Sequence, residues 1–213
     1  MKTLSKAVAV ASLLSAGIMS AQVANADVSY NAAVVSDYVF RGVSFSDNGF
    51  ALQGGADYSD ASGVYAGAWL STIDAPEDEI EYDYYFGFAK EVSGLAFDAG
   101  YIAYNGDDAG LTNAELYATV AKDAASGGLY IDIENDNNVY LEGGYSMALP
   151  EDLGLELHAG YTLPDVGDSV IDLAGTVGKS LDVVDAALTV SFIDEDGSGD
   201  SEILAFVSVS KEF

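Results

Sequence analysis

Apolar and polar residues alternate with a period of two along most of this chain. In residues 28–41 the even positions are mainly apolar or aromatic, whereas the odd positions are mostly small or polar and include Asp37 and Arg41. The same alternation returns in 50–59 and 79–89. A period of two is typical of β-strands with two different faces, and the 3.6-residue period of helices is weak here. The pattern predicts an all-β protein.

Short clusters of Gly, Asp, Asn, Ser and Pro separate the alternating segments and favour turns. The predicted strands are 28–41, 50–59, 64–73, 79–89, 95–104, 112–121, 129–134, 138–147, 153–162, 169–178, 184–193 and 202–213. Strands of about ten residues, even in number and with an aromatic-rich apolar face, are typical of outer-membrane barrels. The predicted fold class is therefore a single transmembrane antiparallel β-barrel of about 12 strands, with short turns on both sides.

A soluble β-sandwich or lipocalin-like barrel is the alternative, and its apolar face would point inward. Two features favour the membrane. Aromatic residues of the apolar face tend toward strand ends, as Tyr30 and Tyr38 do, which would form two girdles at the membrane interfaces. Acidic residues also recur near the middle of the strands on the polar face. These acids are Asp37, Asp57, Asp83, Asp98, Glu115, Asp132, Glu142, Glu156, Asp172 and Asp185.

Both ends of the chain carry export signals. Residues 1–26 contain Lys2 and Lys6, then an apolar run, then Ala-Asn-Ala at 24–26, which is the pattern of a cleaved signal peptide. The chain is therefore predicted to consist of a cleaved signal peptide at 1–26 and a single barrel domain at 27–213. The last strand ends in Phe213, which resembles the C-terminal signal read by the barrel-assembly machinery, although Lys211 stands where an aromatic residue is more usual.

The charge balance restricts the possible partners. The chain has 35 acidic and seven basic residues and a net charge of −28. This excludes nucleic acid as a partner and argues against long-range attraction to anionic surfaces. With no cysteine, the chain has neither disulfides nor thiolate metal sites.

The connectors at the two ends of the predicted barrel differ in charge. With both termini in the periplasm, the outer connectors would be 42–49, 74–78, 105–111, 135–137, 163–168 and 194–201, which contain many acids and no Lys or Arg. The inner turns hold or adjoin Lys90, Lys122 and Lys179. The outer connectors are short, and we expect them to be too short for a constriction loop that folds into the barrel.

Two acidic segments, 132–138 and 194–202, resemble calcium loops in composition. Neither has the spacing of an EF-hand, so a solvated acidic loop is the favoured interpretation, and no cofactor is predicted. Calcium at these loops is the alternative, and divalent ions could bridge them to lipopolysaccharide phosphates. The predicted partners are outer-membrane lipid, lipopolysaccharide, the barrel-assembly machinery and small solutes.

The acidic face implies a wet lumen, because ten unpaired carboxylates could not be buried in a dry interior. Arg41, the only arginine, is predicted near the outer end of the first strand, close to Gln53 and Asp57. It is interpreted either as a clamp that ties the wall together where the first and last strands meet, or as a charged filter that contacts solute. The predicted pore-lining residues are Asp37, Arg41, Gln53, Asp57, Asp83, Asp98, Glu115, Asp132, Glu142, Glu156, His158 and Asp172.

Several segments resemble a known family. VSDYVFRGVSFSD, ALQGGADYS, SGVYAGAWLSTID and EYDYYFGFAKEVSGLAFDAGYIAYNG are similar to the TorF family of proteobacterial outer-membrane proteins, which are regarded as porins. The similarity extends over about 35–105 and fixes Ser36, Asp37, Tyr38, Phe40, Arg41, Gly42, Gln53, Gly54, Gly55, Tyr65, Gly67 and Trp69 in order. It departs at 48–50 and 105–106, which affects local loop shape. The resemblance implies a barrel and a pore and names no substrate.

Enzymes and surface-binding barrels are the competing classes. His158 is the only histidine, and a lumen position among acids favours a wall residue over a catalytic base, so no enzymatic activity is predicted. The expected function is passive diffusion of small cationic or neutral solutes through a porin-like, acid-lined lumen. A non-conducting structural or surface-interaction barrel, whose acidic outer loops bind divalent cations or a partner, is the alternative.

Overall fold

The computed structural model describes residues 26–74, 79–106, 112–134, 138–195 and 201–213. Within these ranges, twelve strands close an antiparallel barrel, as the sequence predicted. The barrel strands are β1 (Asp27–Val35), β4 (Ala51–Ser59), β5 (Val64–Thr72), β6 (Ile80–Val92), β7 (Leu95–Gly106), β8 (Thr112–Lys122), β9 (Ala125–Asp132), β10 (Val139–Leu149), β11 (Leu153–Leu163), β12 (Val170–Ser180), β13 (Asp185–Glu195) and β14 (Ser201–Glu212). Two short strands, β2 (Val39–Phe40) and β3 (Val43–Ser44), pair separately, and a 3₁₀-helix spans Pro150–Asp152.

Closure of the barrel joins the first strand to the last. β1 pairs with β14, with Val35 opposite Ser208, and also with β4 on its other side. The backbones of Tyr30 and Phe213 extend this ladder with two hydrogen bonds, of 3.3 and 2.8 Å between N and O. Closure removes both sheet edges, which would otherwise expose unpaired N–H and C=O groups.

Side chains alternate between the outside of the barrel and its lumen, because successive residues of a strand point to opposite faces. Leu52, Tyr84 and Phe86 are 60, 55 and 59% exposed on the outside. Gln53 and Asp83, on the opposite faces of the same strands, are buried in the lumen. The apolar face therefore points outward and the acidic face inward.

The two ends of the barrel differ. We call the end at which β1 stops and β4 begins the loop end, and the opposite end, which holds the tight turns and both ends of the barrel sequence, the turn end. Tight turns at the turn end include the two-residue Ser93–Gly94 connection between β6 and β7, where both residues have positive φ. All four lysines of residues 27–213 lie within the final three residues of strands that run toward the turn end. These are Lys90, Lys122, Lys179 and Lys211.

The first strand ends at Val35, so the predicted strand 28–41 is wrong beyond that residue. The Ser36 N–H donates to the Val207 carbonyl at 2.9 Å, and the chain then leaves the wall. Residues 36–50, which we call the lumen hairpin, contain β2 and β3 and return to the wall at Ala51. The alternation of apolar and polar residues continues to Arg41 in the sequence because β2 is also a strand, although it lies in the hairpin and not in the wall.

The lumen hairpin also corrects the expectation that no connector is long enough to fold inward. Tyr38 and Val39 are 6 and 1% exposed, although neither belongs to the barrel wall. Val39 packs against Leu204 and Phe206 of β14. The two buried side chains, Tyr38 against Trp69 of β5 and Val39 against β14, hold the hairpin inside the barrel, where the sequence pattern had suggested a short external loop.

The tip of the hairpin is a two-residue turn made of Arg41 and Gly42. Val39 pairs with Ser44 and Phe40 with Val43, and the two central residues have φ of 48° and 85°. Positive φ at both central residues is the type I′ geometry that matches the twist of hairpin strands. None of the residues the structure describes forms a helix long and apolar enough to cross a membrane.

Substitution of Gly42 by alanine tests how closely the tip approaches the wall. A Cβ on Gly42 would lie 2.7 Å from Cβ of Ile193 on β13, whereas a Cβ on Gly94, whose φ is also positive, would meet nothing within 4 Å. Gly94→Ala should lower the free energy of unfolding by about 1–2 kcal/mol from backbone strain alone. Gly42→Ala should cost at least about 1 kcal/mol more because it overpacks the contact. Urea titrations of the two refolded variants measure the difference, and equal losses would show that the tip does not touch β13.

Candidate functional site

The base of the lumen hairpin is fixed by aromatic packing and by a buried carboxylate. The Tyr38 ring lies 5.5 Å from the rings of both Phe45 and Trp69, between centroids. The hydroxyls of Ser44 and Ser46 donate to Oδ1 of Asp37 at 2.6 and 3.0 Å. Asp37 therefore holds the hairpin together and does not line the barrel wall, which corrects its predicted place on the first strand.

Arg41 reaches from the tip of the hairpin to the far wall. Its Nη1 and Nη2 donate to Oε1 and Oε2 of Glu115 on β8, at 2.7 and 2.9 Å. Two parallel bonds of this kind are the strongest geometry for a guanidinium and a carboxylate. Glu115 is 3% exposed, so the pair is shielded from bulk water. The predicted clamp exists, but it joins the hairpin to β8 and not β1 to the last strand.

Aromatic rings surround the same guanidinium. The Arg41 Cζ lies 3.9 Å from the ring centroid of Tyr140, 4.8 Å from that of Phe40 and 5.2 Å from that of Tyr130. These distances are in the range of cation–π attraction, which is stronger when water is excluded. The Tyr104 hydroxyl donates to Oε2 of Glu115 at 3.0 Å and completes the group.

A second cluster continues along the wall from Tyr140. Its hydroxyl is 2.9 Å from Nε2 of His158 and donates to the carboxylate of Asp172 at 3.1 Å. Nε2 of His158 is also 3.0 Å from Oδ1 of Asp172. The Tyr130 hydroxyl donates to Oε1 of Glu142 at 2.9 Å, and the far side of His158 faces that carboxylate at 4.0 Å. His158 thus lies among carboxylates in the lumen.

A third cluster lies nearer the turn end. The Tyr65 hydroxyl donates to Oδ1 of Asp98 at 2.6 Å and is hydrogen-bonded to the Tyr117 hydroxyl. The Tyr85 hydroxyl donates to Oδ1 of Asp57. Together with the clusters above, these contacts show that most lumen carboxylates accept a hydrogen bond from a tyrosine.

Two lumen acids near the hairpin are not fully satisfied. Oε2 of Glu81 and Oδ1 of Asp83 are buried and lack a hydrogen-bond donor among the described residues. Glu81 lies close to Tyr38, at the base of the hairpin. Buried carboxylate oxygens of this kind need water or a cation. Glu81 was not among the predicted site residues, although it has the same parity as Asp83.

The structure places ten of the twelve predicted site residues on the inward face of the wall. Glu115, Glu142, His158 and Asp172 come together around Arg41 and Tyr140, whereas Asp57 and Asp98 lie in the cluster nearer the turn end. Asp132 is buried at the end of β9, and its Oδ1 accepts the N–H of Glu134 at 2.9 Å. The remaining inward-facing residues are Gln53, Asp83 and Glu156.

The lumen tyrosines are the functional candidates that the sequence prediction missed. They lie on six consecutive strands, β5 to β10, with Tyr117 stacked on Tyr130 at 5.6 Å and Tyr140 stacked on His158 at 6.5 Å between ring centroids. Each tyrosine shares the odd or even numbering, and therefore the inward face, of an acid on its own strand or a neighbouring strand. This shared position could have identified the tyrosines as lumen residues from the sequence. The full set is Tyr65, Tyr85, Tyr104, Tyr117, Tyr130 and Tyr140.

A cavity of about 20 Å³, enough for about one water molecule, lies beside the hairpin between Tyr38, Val39 and the wall. The wall side chains that line it come from β1, β4, β12, β13 and β14 and include Gln53, Thr189 and Phe206.

Within the described part of the chain, no three His, Cys, Asp or Glu side chains are grouped so that they could hold a metal ion. The acidic segments 132–138 and 194–202, for which calcium binding was the alternative to a solvated loop, include 135–137 and 196–200, which lie outside the described residues.

Residues 20–208 match the sequence profile of a bacterial family described as proteins of unknown function, Gcw_chp. The chain belongs to this family. That description carries no function, so the resemblance to the TorF family stays a prediction. No curated protein sequence matches the chain.

Solved structures resemble the Gcw_chp barrel in fold. The KdgM porin superposes with a TM-score of 0.61 at 10% identity, over 87% of this chain and 98% of that chain. The NanC porin superposes with a TM-score of 0.59 at 11% identity, over 87% and 99%. A KdgM porin in complex with disordered oligogalacturonate gives 0.57 at 10% identity, over 87% and 97%.

Removal of one phenol should show how much a tyrosine contributes to a lumen carboxylate. Tyr65→Phe leaves Asp98 without its donor and should lower the free energy of unfolding by about 1–3 kcal/mol, because a buried acceptor is left unsatisfied. Tyr84→Phe, on the outward face, should change it by less than about 0.5 kcal/mol. Parallel denaturation of both refolded variants measures the two costs. A Tyr65→Phe variant as stable as Tyr84→Phe would show that water replaces the phenol without loss.

Proposed function

We propose that this Gcw_chp protein is an outer-membrane, porin-like channel through which small cationic or neutral solutes diffuse passively. The observation that carries this proposal is the distribution of charge in the lumen. The inward face carries carboxylates on strands from β4 to β12, and among the described residues the only basic side chains away from the turn end are Arg41 and His158. An acid-lined, low-dielectric passage concentrates cations and repels anions.

The outer surface supports placement in a membrane. Outward-facing Leu52, Leu70, Phe86, Leu116 and Leu188 are all at least half exposed, which is unusual for a water-soluble barrel. The likeness in fold to the KdgM and NanC porins agrees with this placement. Export through a signal peptide at 1–26 and recognition of Phe213 by the assembly machinery are part of the same proposal, as are contacts with lipid and lipopolysaccharide.

The lumen hairpin would set the size limit. It joins β14, through Val39, to β8, through Arg41, and so crosses the interior near the loop end. A solute therefore has to pass beside the hairpin or move its tip. The pore-lining role of the predicted acids applies to the passage on either side of it, with Asp83, Glu115, Glu142 and Glu156 as the residues that set selectivity.

A non-conducting barrel is the second candidate, and one observation favours it. The hairpin crosses the interior from β14 to β8, and the cavity beside Tyr38 and Val39 has room for about one water molecule. In that case the acidic loops would be the working surface, and the barrel would serve as their support.

Planar-bilayer recordings distinguish the two candidates. The refolded barrel under a KCl gradient should give a reversal potential on the potassium side. The preference for potassium over chloride should be smaller in Asp83→Asn and in Glu156→Gln than in the wild type. It should also decrease at higher salt concentration, because salt screens the lumen charges. Asp123→Asn is the matched control, because Asp123 is exposed in a turn at the turn end and its positive φ suits asparagine.

A correctly folded barrel that never conducts would exclude the porin function and favour the non-conducting barrel. A reversal potential that is equal in Asp83→Asn, Glu156→Gln and Asp123→Asn would show that general surface charge, and not the lumen, determines selectivity. Heat-modifiable migration on a gel checks the folding of every variant.

A further inference from the structure

Arg41 occupies a backbone position that does not suit it. Its φ of 48° lies in the left-handed region, at the first central position of a type I′ turn. Asn, Asp and Gly adopt this geometry most readily, and other side chains reach it only at a cost in free energy. Gly42 follows this rule and Arg41 does not, so the contacts of the guanidinium must offset the strain of its backbone.

The group that receives the guanidinium is built entirely by the wall. Glu115 comes from β8, Tyr130 from β9, Tyr140 from β10 and Tyr104 from β7, which are four consecutive strands of the closed sheet. We call these four residues the cation cage. The hairpin contributes only Phe40 to the surroundings of the charge. Because the cage residues sit on hydrogen-bonded strands, the cage does not need the hairpin in order to exist.

The shape of the cage matches one kind of ligand. Glu115 offers two oxygens at 2.7 and 2.9 Å to a planar pair of N–H donors, and the ring of Tyr140 lies 3.9 Å from the central carbon. A planar guanidinium can donate two parallel hydrogen bonds to the carboxylate and also stack on the tyrosine ring. An ammonium acts as a point charge and makes fewer of these contacts. The Glu142 carboxylate, held by Tyr130, adds negative charge beside the cage.

We propose that the cation cage is a binding site for solutes that carry a guanidinium group, and that Arg41 occupies it as a built-in substitute for the solute. This inference rests on the proposed channel function, because it names the solute class that the channel would select. A solute in the cage displaces the tip of the hairpin from β8. The base of the hairpin stays in place because Asp37, Tyr38 and Val39 are buried in separate contacts.

The covalent link between Arg41 and the cage sets the expected affinities. A group tethered by a short chain competes with an effective concentration in the millimolar range or above. Free methylguanidinium should therefore bind the wild-type barrel weakly, since it must displace Arg41. It should bind more tightly once the side chain of Arg41 is removed and the cage is left open.

Arg41→Asn is the variant that opens the cage with least damage, because asparagine suits the type I′ turn. Methylguanidinium is the probe, and saturation-transfer NMR on the refolded barrel in detergent measures its binding. We expect Arg41→Asn to bind it at least about tenfold more tightly than wild type. Arg41→Lys should give an intermediate affinity, because lysine keeps the charge and loses the planar fork. Methylurea, which is planar and neutral, should not bind to any variant.

Two double variants separate the cage from the general charge of the lumen. Arg41→Asn with Glu115→Gln should lose the added affinity, whereas Arg41→Asn with Glu156→Gln removes the same charge from β11 and should keep it. If the Glu115→Gln barrel does not fold, Arg41→Asn with Tyr140→Leu tests the cage through its ring. Equal binding by Arg41→Asn and wild type, or equal loss in the two double variants, would overturn the proposal.

Tip displacement and conduction have their own measurements. Trp69 is the only tryptophan and lies 5.5 Å from Tyr38, so its emission reports whether the base of the hairpin stays in place. In bilayers, micromolar to millimolar methylguanidinium should block the potassium current of Arg41→Asn. Binding that depends on Glu115 in a barrel without conductance would support the cage and reject the channel, whereas conduction without such binding would do the reverse.

Discussion

A carboxylate that is withdrawn from bulk water loses hydration worth several kcal/mol, and the lumen of this barrel withdraws many of them at once. The wall replaces part of that hydration with phenol hydroxyls, as in the bonds from Tyr65 to Asp98 and from Tyr130 to Glu142. A tyrosine is suited to this task because it donates one hydrogen bond and brings no charge. The negative potential of the lumen is therefore kept while these carboxylates receive a hydrogen bond.

One lumen carboxylate, that of Glu115, is paired with a positive charge as well as with a phenol hydroxyl. Glu115 is bound by the guanidinium of Arg41 and by the Tyr104 hydroxyl. This pair connects the lumen hairpin to the wall, so the same interaction neutralises a buried acid and fixes the position of the hairpin. The strained φ of Arg41 and the close approach of Gly42 to Ile193 both follow from the need to bring a turn against the far side of the barrel.

Charge and shape would act together on any solute in the proposed channel. With the four lysines at the turn end, Arg41 and His158 are the basic side chains of the described lumen, and Arg41 stands where the hairpin meets the wall. The KdgM and NanC porins share the fold at 10 and 11% identity, which leaves the lumen side chains of this chain free to set a different selectivity. Selectivity here would depend on side chains that the shared backbone does not dictate.

The sequence alone predicted the barrel, because strands with one apolar face need an apolar medium on that face and strand edges need partners. It also determined that Asp57, Asp83, Asp98 and Glu115 share the inward face, since parity along a strand fixes the face. It could not show that residues 36–50 turn inward, because β2 continues the alternation of β1. Contacts such as Arg41 with Glu115, 74 residues apart, were decided only by the tertiary structure, because barrel curvature brings a hairpin tip to a strand that no local pattern connects with it.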